Sequence, residues 1–317
     1  MSANESLKIA LAQIAPIWIN REATTYKIIQ YVKEASEQDV DLVVFGEGLL
    51  PGYPFWLDRI NGAEFNSKVQ KEIHAHYAQQ SVCIEEGHLN EICQLAKDRS
   101  IAIYLGIIER PLDRGGHSLY CSLVFINKKG EIKSVHRKLM PTYEERLAWS
   151  IGDGNGLVTH SLPPFTVGGL NCWENWMPLA RTALYAQGEN LHISVWPGNR
   201  RNTEDLLPVI AKESRSYVIG VSGLFRPEDI PDDFPYAEAM RENTLATLAN
   251  GGSCLVAPDG SWVIEPFTDV EQLVTATIHF SKVLEERQNF DPVGHYSRPD
   301  VLRLSVNRER QNLEGEF

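Results

Sequence analysis

Apolar positions along the chain fall into two recurring patterns. Short, nearly continuous apolar runs at Lys8 to Gln13 (KIALAQ), Asp41 to Glu47 (DLVVFGE) and Ile101 to Ile108 (IAIYLGII) have the length of buried strands. Longer stretches between them repeat at helical spacing, which predicts an amphipathic helix over Glu22 to Glu37 and helices over Ser67 to Gln80 and Gly87 to Arg99. In the last of these, Leu89, Ile92, Cys93 and Ala96 share one face. Two prolines in PGYP, Pro51 to Pro54, interrupt regular structure after the second strand.

The rhythm continues through the second half. Leu119 to Ile126 and Glu131 to His136 flank the turn sequence Asn127-Lys-Lys-Gly130 and predict a β-hairpin; Ser253 to Ala257 and Ser261 to Pro266 around Pro258-Asp-Gly260 predict another. Between them the pattern predicts a strand running into Cys172, a helix from Pro178 to Gln187 and a strand from Leu191 to Trp196. A helix from Thr203 to Val218 and a strand from Ile219 to Leu224 follow. Strands alternating with helices, each half broken once by a hairpin, predict two related α/β halves. No Gly/Ser linker or low-complexity block divides them, so residues 1–317 read as one domain.

Composition narrows the function classes. At 43% hydrophobic and 23% charged residues the chain has the makings of a large buried core. Its formal net charge is −12 and no Lys/Arg-rich run is present, which excludes the electrostatic footprint of a nucleic-acid or anionic-membrane binder. The expected partners are a small molecule and further copies of the chain. MSANESLK offers neither the basic nor the apolar segment of a signal peptide, and no apolar run approaches the roughly 20 residues of a membrane span, so the reading is cytoplasmic. Five widely spaced cysteines without a CxxC pair fit neither a disulfide framework nor a zinc knuckle.

One of them differs in context. Cys83, Cys93, Cys121 and Cys254 read as buried structural thiols. Cys172, in GLNCWENWMPLAR, ends a strand and precedes a segment in which Pro178 favours a first helical turn. A thiol placed there is expected to be exposed at a turn, with its pKa lowered by helical N–H groups. Such a nucleophile needs a base. His136 and His295 are candidates, but Glu47 is the stronger one: it follows a buried apolar run and Gly46, at the carboxyl end of a strand where open α/β sheets place ligands. Partial desolvation there would raise its pKa toward that of a working base. Lys138, ending the first hairpin, would bring positive charge to a developing anion. His74 and His76 stand two apart on a predicted helix and do not share a face, so no metal site is expected.

Glu47, Lys138 and Cys172 in that order, each at a strand end, resemble the catalytic triad of the nitrilase superfamily of carbon–nitrogen hydrolases. The resemblance runs from ALAQIAP (Ala10 to Pro16) to VGHYSRPD (Val293 to Asp300). Within it, HRKLMPTYEER (His136 to Arg146), GDG (Gly152 to Gly154), NCWENWMPLAR (Asn171 to Arg181) and DPVGHYSRPD (Asp291 to Asp300) look like the nitrilase branch. It implies a four-layer α-β-β-α sandwich in the α/β class, with Glu47 as general base, Cys172 as nucleophile and Lys138 as cationic stabiliser. Glu145 would position substrate and orient the lysine, and the Trp173 N–H would be a further donor. It also implies a homodimer or higher oligomer in which the tail, residues 290–317, reaches a subunit interface.

The reaction so implied is hydrolysis of a nitrile to acid and ammonia through a thioimidate and a thioester on Cys172, with no metal and no organic cofactor. The thiol suits it because a few per cent of an ordinary cysteine is already thiolate near neutrality. Tyr53, Trp56, Tyr143, Trp173 and Trp196 follow strands or turns near these residues and are expected to line an apolar substrate pocket. An amidase or N-carbamoyl amine hydrolase would use the same residues, Trp173-Glu174 favouring nitriles; a non-catalytic scaffold or a redox thiol is the reading from another class. Two departures from the family stand out. FGEG (Phe45 to Gly48) replaces the more usual FPE, and the chain ends soon after Asn307, which argues against stable spiral filaments.

Overall fold

The computed structural model describes residues 5–242 and 249–312. Its first half contains β1 (Ser6–Gln13), α1 (Arg21–Glu37), β2 (Leu42–Phe45), α2 (Trp56–Arg59), α3 (Lys68–Gln80), α4 (Asn90–Arg99), β3 (Ala102–Glu109), β4 (Tyr120–Ile126) and β5 (Ile132–Arg137). The second half begins with β6 (His160–Leu162), β7 (Phe165–Asn171), α5 (Pro178–Tyr185), β8 (Leu191–Trp196), α6 (Leu206–Ser214), β9 (Tyr217–Ser222) and β10 (Leu224–Phe225). It continues with α7 (Ala237–Glu242), β11 (Ala249–Val256), β12 (Trp262–Thr268), β13 (Gln272–His279) and α8 (Phe280–Arg287).

The period-2 pleat of the buried strands builds the layers. In β2, Leu42 and Val44 face one way and pack on Ile193, Val195 and Ile219 of the second half. Val43 and Phe45 face the other way, onto Ile28 and Val32 of α1 and Ile92 and Ala96 of α4. The second sheet mirrors this: Leu170 packs outward on Ala180, Ala183 and Leu184 of α5, and Trp196 and Val218 pack outward on Leu207 and Ile210 of α6. Fully burying one such aliphatic side chain contributes roughly 1.5–3 kcal/mol, so strands apolar on both faces are committed to the interior. The result is a four-layer α-β-β-α sandwich.

One sheet has the order β13-β1-β2-β3-β4-β5, the other β10-β11-β9-β8-β7-β6 with β12 also paired to β11. In each, a parallel trio (β1, β2, β3 and β7, β8, β9) forms the centre and antiparallel strands form the flanks. Several expectations shift in detail. β2 stops at Phe45, leaving Glu47 in the turn beyond it. The helix predicted over Thr203 to Val218 is α6, which ends at Ser214 because Arg215 takes a left-handed φ of 52°, and β9 begins at Tyr217. β13 was not evident from the pattern; it crosses back to pair antiparallel with β1 along its whole length.

After α8 the chain runs without helix or strand, and Val306 to Gln311 lie against the Gly152 to Leu157 loop of the same chain. There Arg310 Nη1 donates to Asp153 Oδ1 (3.0 Å), the Gln311 N–H to Asp153 Oδ2 (2.9 Å), and Arg308 Nε to the Leu157 carbonyl (3.0 Å). The last five residues of the expected tail, 313–317, lie outside the described residues. No helix among the described residues is long and apolar enough to cross a membrane.

Candidate active site

Four segments deliver side chains to one point at the carboxyl ends of the central strands. The turn after β2 brings Glu47, anchored where its N–H donates to the Trp196 carbonyl at the end of β8 (3.3 Å). That turn lies directly over Gly106 of β3, where a Cβ would meet the Gly46 carbonyl oxygen at 2.2 Å and Glu47 Cα at 2.8 Å. Only glycine leaves room for the turn. The β4–β5 hairpin brings Lys138, whose N–H donates to the Cys121 carbonyl (2.8 Å). A 3-10 turn, Tyr143–Leu147, brings Glu145, and a second, Cys172–Trp176, opens on Cys172.

Lys138 lies at the centre. Its Nζ donates to Glu47 Oε1 (2.8 Å) and to Glu145 Oε2 (2.7 Å), and all three side chains are essentially excluded from solvent. Glu145 is fixed further by the Thr142 N–H (2.6 Å) and the Tyr53 hydroxyl (2.7 Å). Single donor atoms of Glu47, Glu145 and Cys172 lie within 4.8 Å of one another, a spacing that would also suit a metal ion. The lysine ammonium, bonded to both carboxylates, already fills the role of the cation between them.

The turn that carries Cys172 is held from two sides. Glu174, fully buried, accepts from His136 Nε2 (3.1 Å), from the Leu139 N–H (2.6 Å) and from the Asn171 N–H (2.8 Å). It thereby ties the Cys172 turn to the residue after Lys138. Asn175 Nδ2 donates to the Cys172 carbonyl (2.8 Å), and Asn175 is gripped in turn by His192 Nε2 (2.8 Å) and by Arg181, which donates to its carbonyl (2.6 Å). Cys172 itself takes a left-handed φ of 47°, a conformation costing of order 1 kcal/mol in a non-glycine residue and kept only where surroundings over-determine it.

The electrostatics correct one expectation. Burial pushes the Cys172 thiol well above its ordinary value, and Glu47 and Glu145 add to the rise against the pull of Lys138 and the Trp173 N–H. The 3-10 turn puts the thiol among carboxylates and six residues ahead of α5, so the helical N–H groups expected to acidify it are not dominant. The resting group is a thiol, and it needs a base. Burial, opposed by Lys138 and by a hydrogen bond from the Cys121 thiol and reinforced by Glu145, leaves Glu47 raised to about 7. Burial pulls Lys138 down, but the negative charges around it, that of Cys172 when ionised and those of Glu47 and Glu145, outweigh it and hold the ammonium.

A cavity of about 570 Å³ opens on Cys172, with Tyr53, Phe55, Trp173 and Trp176 as aromatic lining and Asn199, Arg201 and Asp205 on its polar side. Of the aromatic residues expected there, the structure brings Tyr53 and Trp173 to the cavity. Trp56 is buried against Trp18 and Tyr77 and borders a separate recess with His74. Trp196 lies behind the site against α6, its indole N–H donating to Ser194 (2.8 Å). Tyr143 is 82% exposed, because the 3-10 turn that aims Glu145 inward turns Tyr143 out. Cys121, read as structural, contacts Glu47. The signal was available: the hairpin register pairs Ser122 with Arg137, which puts Cys121 opposite Lys138.

Comparison with known proteins adds a family. The carbon–nitrogen hydrolase family profile matches residues 8–288. A nitrilase 2 from an unknown prokaryotic organism is 37% identical over 96% of this chain and 93% of its own. An aliphatic nitrilase of Sinorhizobium fredii (strain HH103) is 32% identical over 95% and 96%. Among solved structures, an amidase from Nesterenkonia sp. superposes with a TM-score of 0.65 at 18% identity, covering 91% of this chain and 96% of that one. A carbon–nitrogen hydrolase from Helicobacter pylori G27 gives 0.70 at 17%, covering 94% and 97%. With the sandwich, the buried Glu47–Lys138–Glu145 cluster beside Cys172 and these relatives in hand, the chain belongs to the carbon–nitrogen hydrolase family, on its nitrilase branch.

Proposed function

We propose that this hydrolase acts on organic nitriles, converting them to carboxylic acid and ammonia. The observation that carries the reading is the relatedness to proteins named nitrilases, 37% and 32% identical along nearly the whole chain, in a chain whose own nucleophile lies in Cys172-Trp173-Glu174. The amidases of similar fold are 17–18% identical and bear on the fold alone.

Glu47 takes the proton of Cys172 while sulfur attacks the nitrile carbon; one π pair moves to nitrogen, which receives that proton, giving a thioimidate. Water, deprotonated by Glu47, adds to the thioimidate carbon. The carbon–nitrogen bond then breaks, ammonia leaves, and a thioester remains. A second water releases the acid and restores the thiol, so one nitrile and two waters become one acid and one ammonia. Lys138 and the Trp173 N–H face the atom on which negative charge grows, the arrangement that lowers such barriers most. Glu145 orients Lys138.

The aromatic lining and the size of the cavity suit an aromatic or arylaliphatic nitrile, since ligand pockets are mostly apolar with few polar anchors. Leu179 of α5 and Val209 of α6 are well exposed on the outer helical layer, which supports pairing of subunits helix on helix; a chain that sediments as a monomer at micromolar concentration would refute that part.

The test is ammonia release from matched nitriles and amides by wild type and Cys172→Ala. Release from nitriles that vanishes in the variant supports the reading. Turnover of amides alone moves the chain to amidase or N-carbamoyl hydrolase chemistry, and silence on both favours a scaffold or a redox thiol.

A further inference from the structure

Cys121 is fully buried on β4, and its Sγ lies 3.4 Å from Glu47 Oε1. The same oxygen accepts from Lys138 Nζ at 2.8 Å. Glu47 Oε2, equally buried, has no hydrogen-bond partner among the described residues. A buried carboxylate oxygen left bare is costly, and here it belongs to the group that must receive a proton. Two donors on one oxygen and none on the other is an asymmetric arrangement, and Cys121 supplies half of it.

We propose that Cys121 is a positioning residue for the general base: its S–H and the Lys138 ammonium occupy Glu47 Oε1 and leave Oε2 to take the proton of Cys172. In that transfer the S–H bond of Cys172 breaks, its electron pair stays on sulfur, and the O–H bond forms at Oε2. The inference rests on the functional reading only in taking Glu47 as the base.

Six groups face Glu47 among the described residues. They are Lys138 from the end of β5, Glu145 from its 3-10 turn, Cys121 from β4, Cys172 from the turn after β7, Tyr53 from the loop after β2 and Tyr77 from α3. Burial pushes both thiols and both tyrosines upward, and Lys138 is held as ammonium. A thiol is a weak donor, so it stabilises the Glu47 carboxylate less than a hydroxyl would. Removing the donor and strengthening it should therefore move the base in opposite directions.

The experiment follows the rate of Cys172 alkylation by iodoacetamide against pH, read at the Cys172 peptide by mass spectrometry, in wild type, Cys121→Ala and Cys121→Ser, with thermal unfolding alongside. The pH profile of kcat/KM on a nitrile is recorded where turnover exists. The expected result is an acid limb moved up by about half a pH unit in Cys121→Ala, slowing the reaction about threefold at acid pH, and moved down in Cys121→Ser. A thiol that merely packs would change stability in both variants and move neither limb. Limbs that stay at the wild-type position, or that move the same way in both variants, overturn the proposal. Should Cys121→Ala fail to fold, the direction in Cys121→Ser decides alone. Because alkylation needs no nitrile, a chain inert toward nitriles would end the functional reading while leaving this test intact.

Discussion

Replacing Glu174 tests how the Cys172 turn is held. The carboxylate is 1% exposed and serves three donors: His136 Nε2, the Leu139 N–H and the Asn171 N–H. Glu174→Ala strands all three in the interior. Leaving a buried neutral donor unmatched costs about 1–3 kcal/mol each, and water entering the vacated space recovers part. Breaking a buried charge pair by deleting one partner costs about 3–5 kcal/mol. Both routes point to about 3–5 kcal/mol, and a domain of this size has an unfolding entropy of roughly 0.7 kcal/mol/K, so Tm should fall by about 4–7 °C.

Glu174→Gln keeps the volume but aims an amide N–H where a donor already points, and should lose less. Its pH dependence carries a sign. Although burial opposes it, His136 and the two backbone N–H groups hold the Glu174 pKa below its ordinary value, so its stabilisation is complete above the unfolded value of about 4.3 and fades as pH falls through the lower folded value. The gap between wild type and Glu174→Gln should narrow in acid. With the tie between Cys172 and Lys138 loosened, kcat/KM should fall on the order of a hundredfold, as expected for a misplacement near 1 Å. Scanning calorimetry and steady-state kinetics measure both. A Glu174→Ala enzyme with unchanged Tm and kcat/KM within twofold of wild type would refute the reasoning.

Other consequences follow from the same geometry. Glu47 must be ionised to accept a proton and titrates near 7, so kcat/KM should decline as pH drops through about 7, and Glu47→Gln should remove turnover while leaving the fold. Gly106→Ala, placing a Cβ 2.2 Å from the Gly46 carbonyl oxygen, should displace the Glu47 turn and lower kcat at least tenfold, whereas the same change at Gly188, where nothing lies within 4 Å, should alter only local stability.

Much of this was legible along the chain, for definite reasons. β2 and β3 are apolar on both faces and β1 is nearly so, and such runs admit few other readings. Glu47, Lys138 and Cys172 are conspicuous because each polar or reactive group comes at or just beyond the end of a strand, β2, β5 and β7 respectively. β13 escaped notice because its residues are mostly half-buried and its partner β1 lies at the other end of the chain. Glu174 looked like a marker of substrate class, yet it is buried away from the cavity and acts on the turn. Trp196 lies away from the cavity because of the pleat: Val195 faces the inter-sheet core, so its neighbour faces α6. Tyr143 and Glu145, two apart in a 3-10 turn, cannot both point inward.

The central claim is that Cys172 forms a covalent bond to the carbon of a nitrile, assisted by Glu47. Intact-protein mass spectrometry of wild type and Cys172→Ala, quenched in acid within milliseconds to seconds of mixing with an arylaliphatic nitrile while ammonia is followed, tests it most directly. The account predicts a wild-type adduct with the mass of the added nitrile or of its acyl group, mapped to the Cys172 peptide, and neither adduct nor ammonia in the variant. Ammonia released by Cys172→Ala at the wild-type rate, or an adduct mapped to another cysteine, would contradict it.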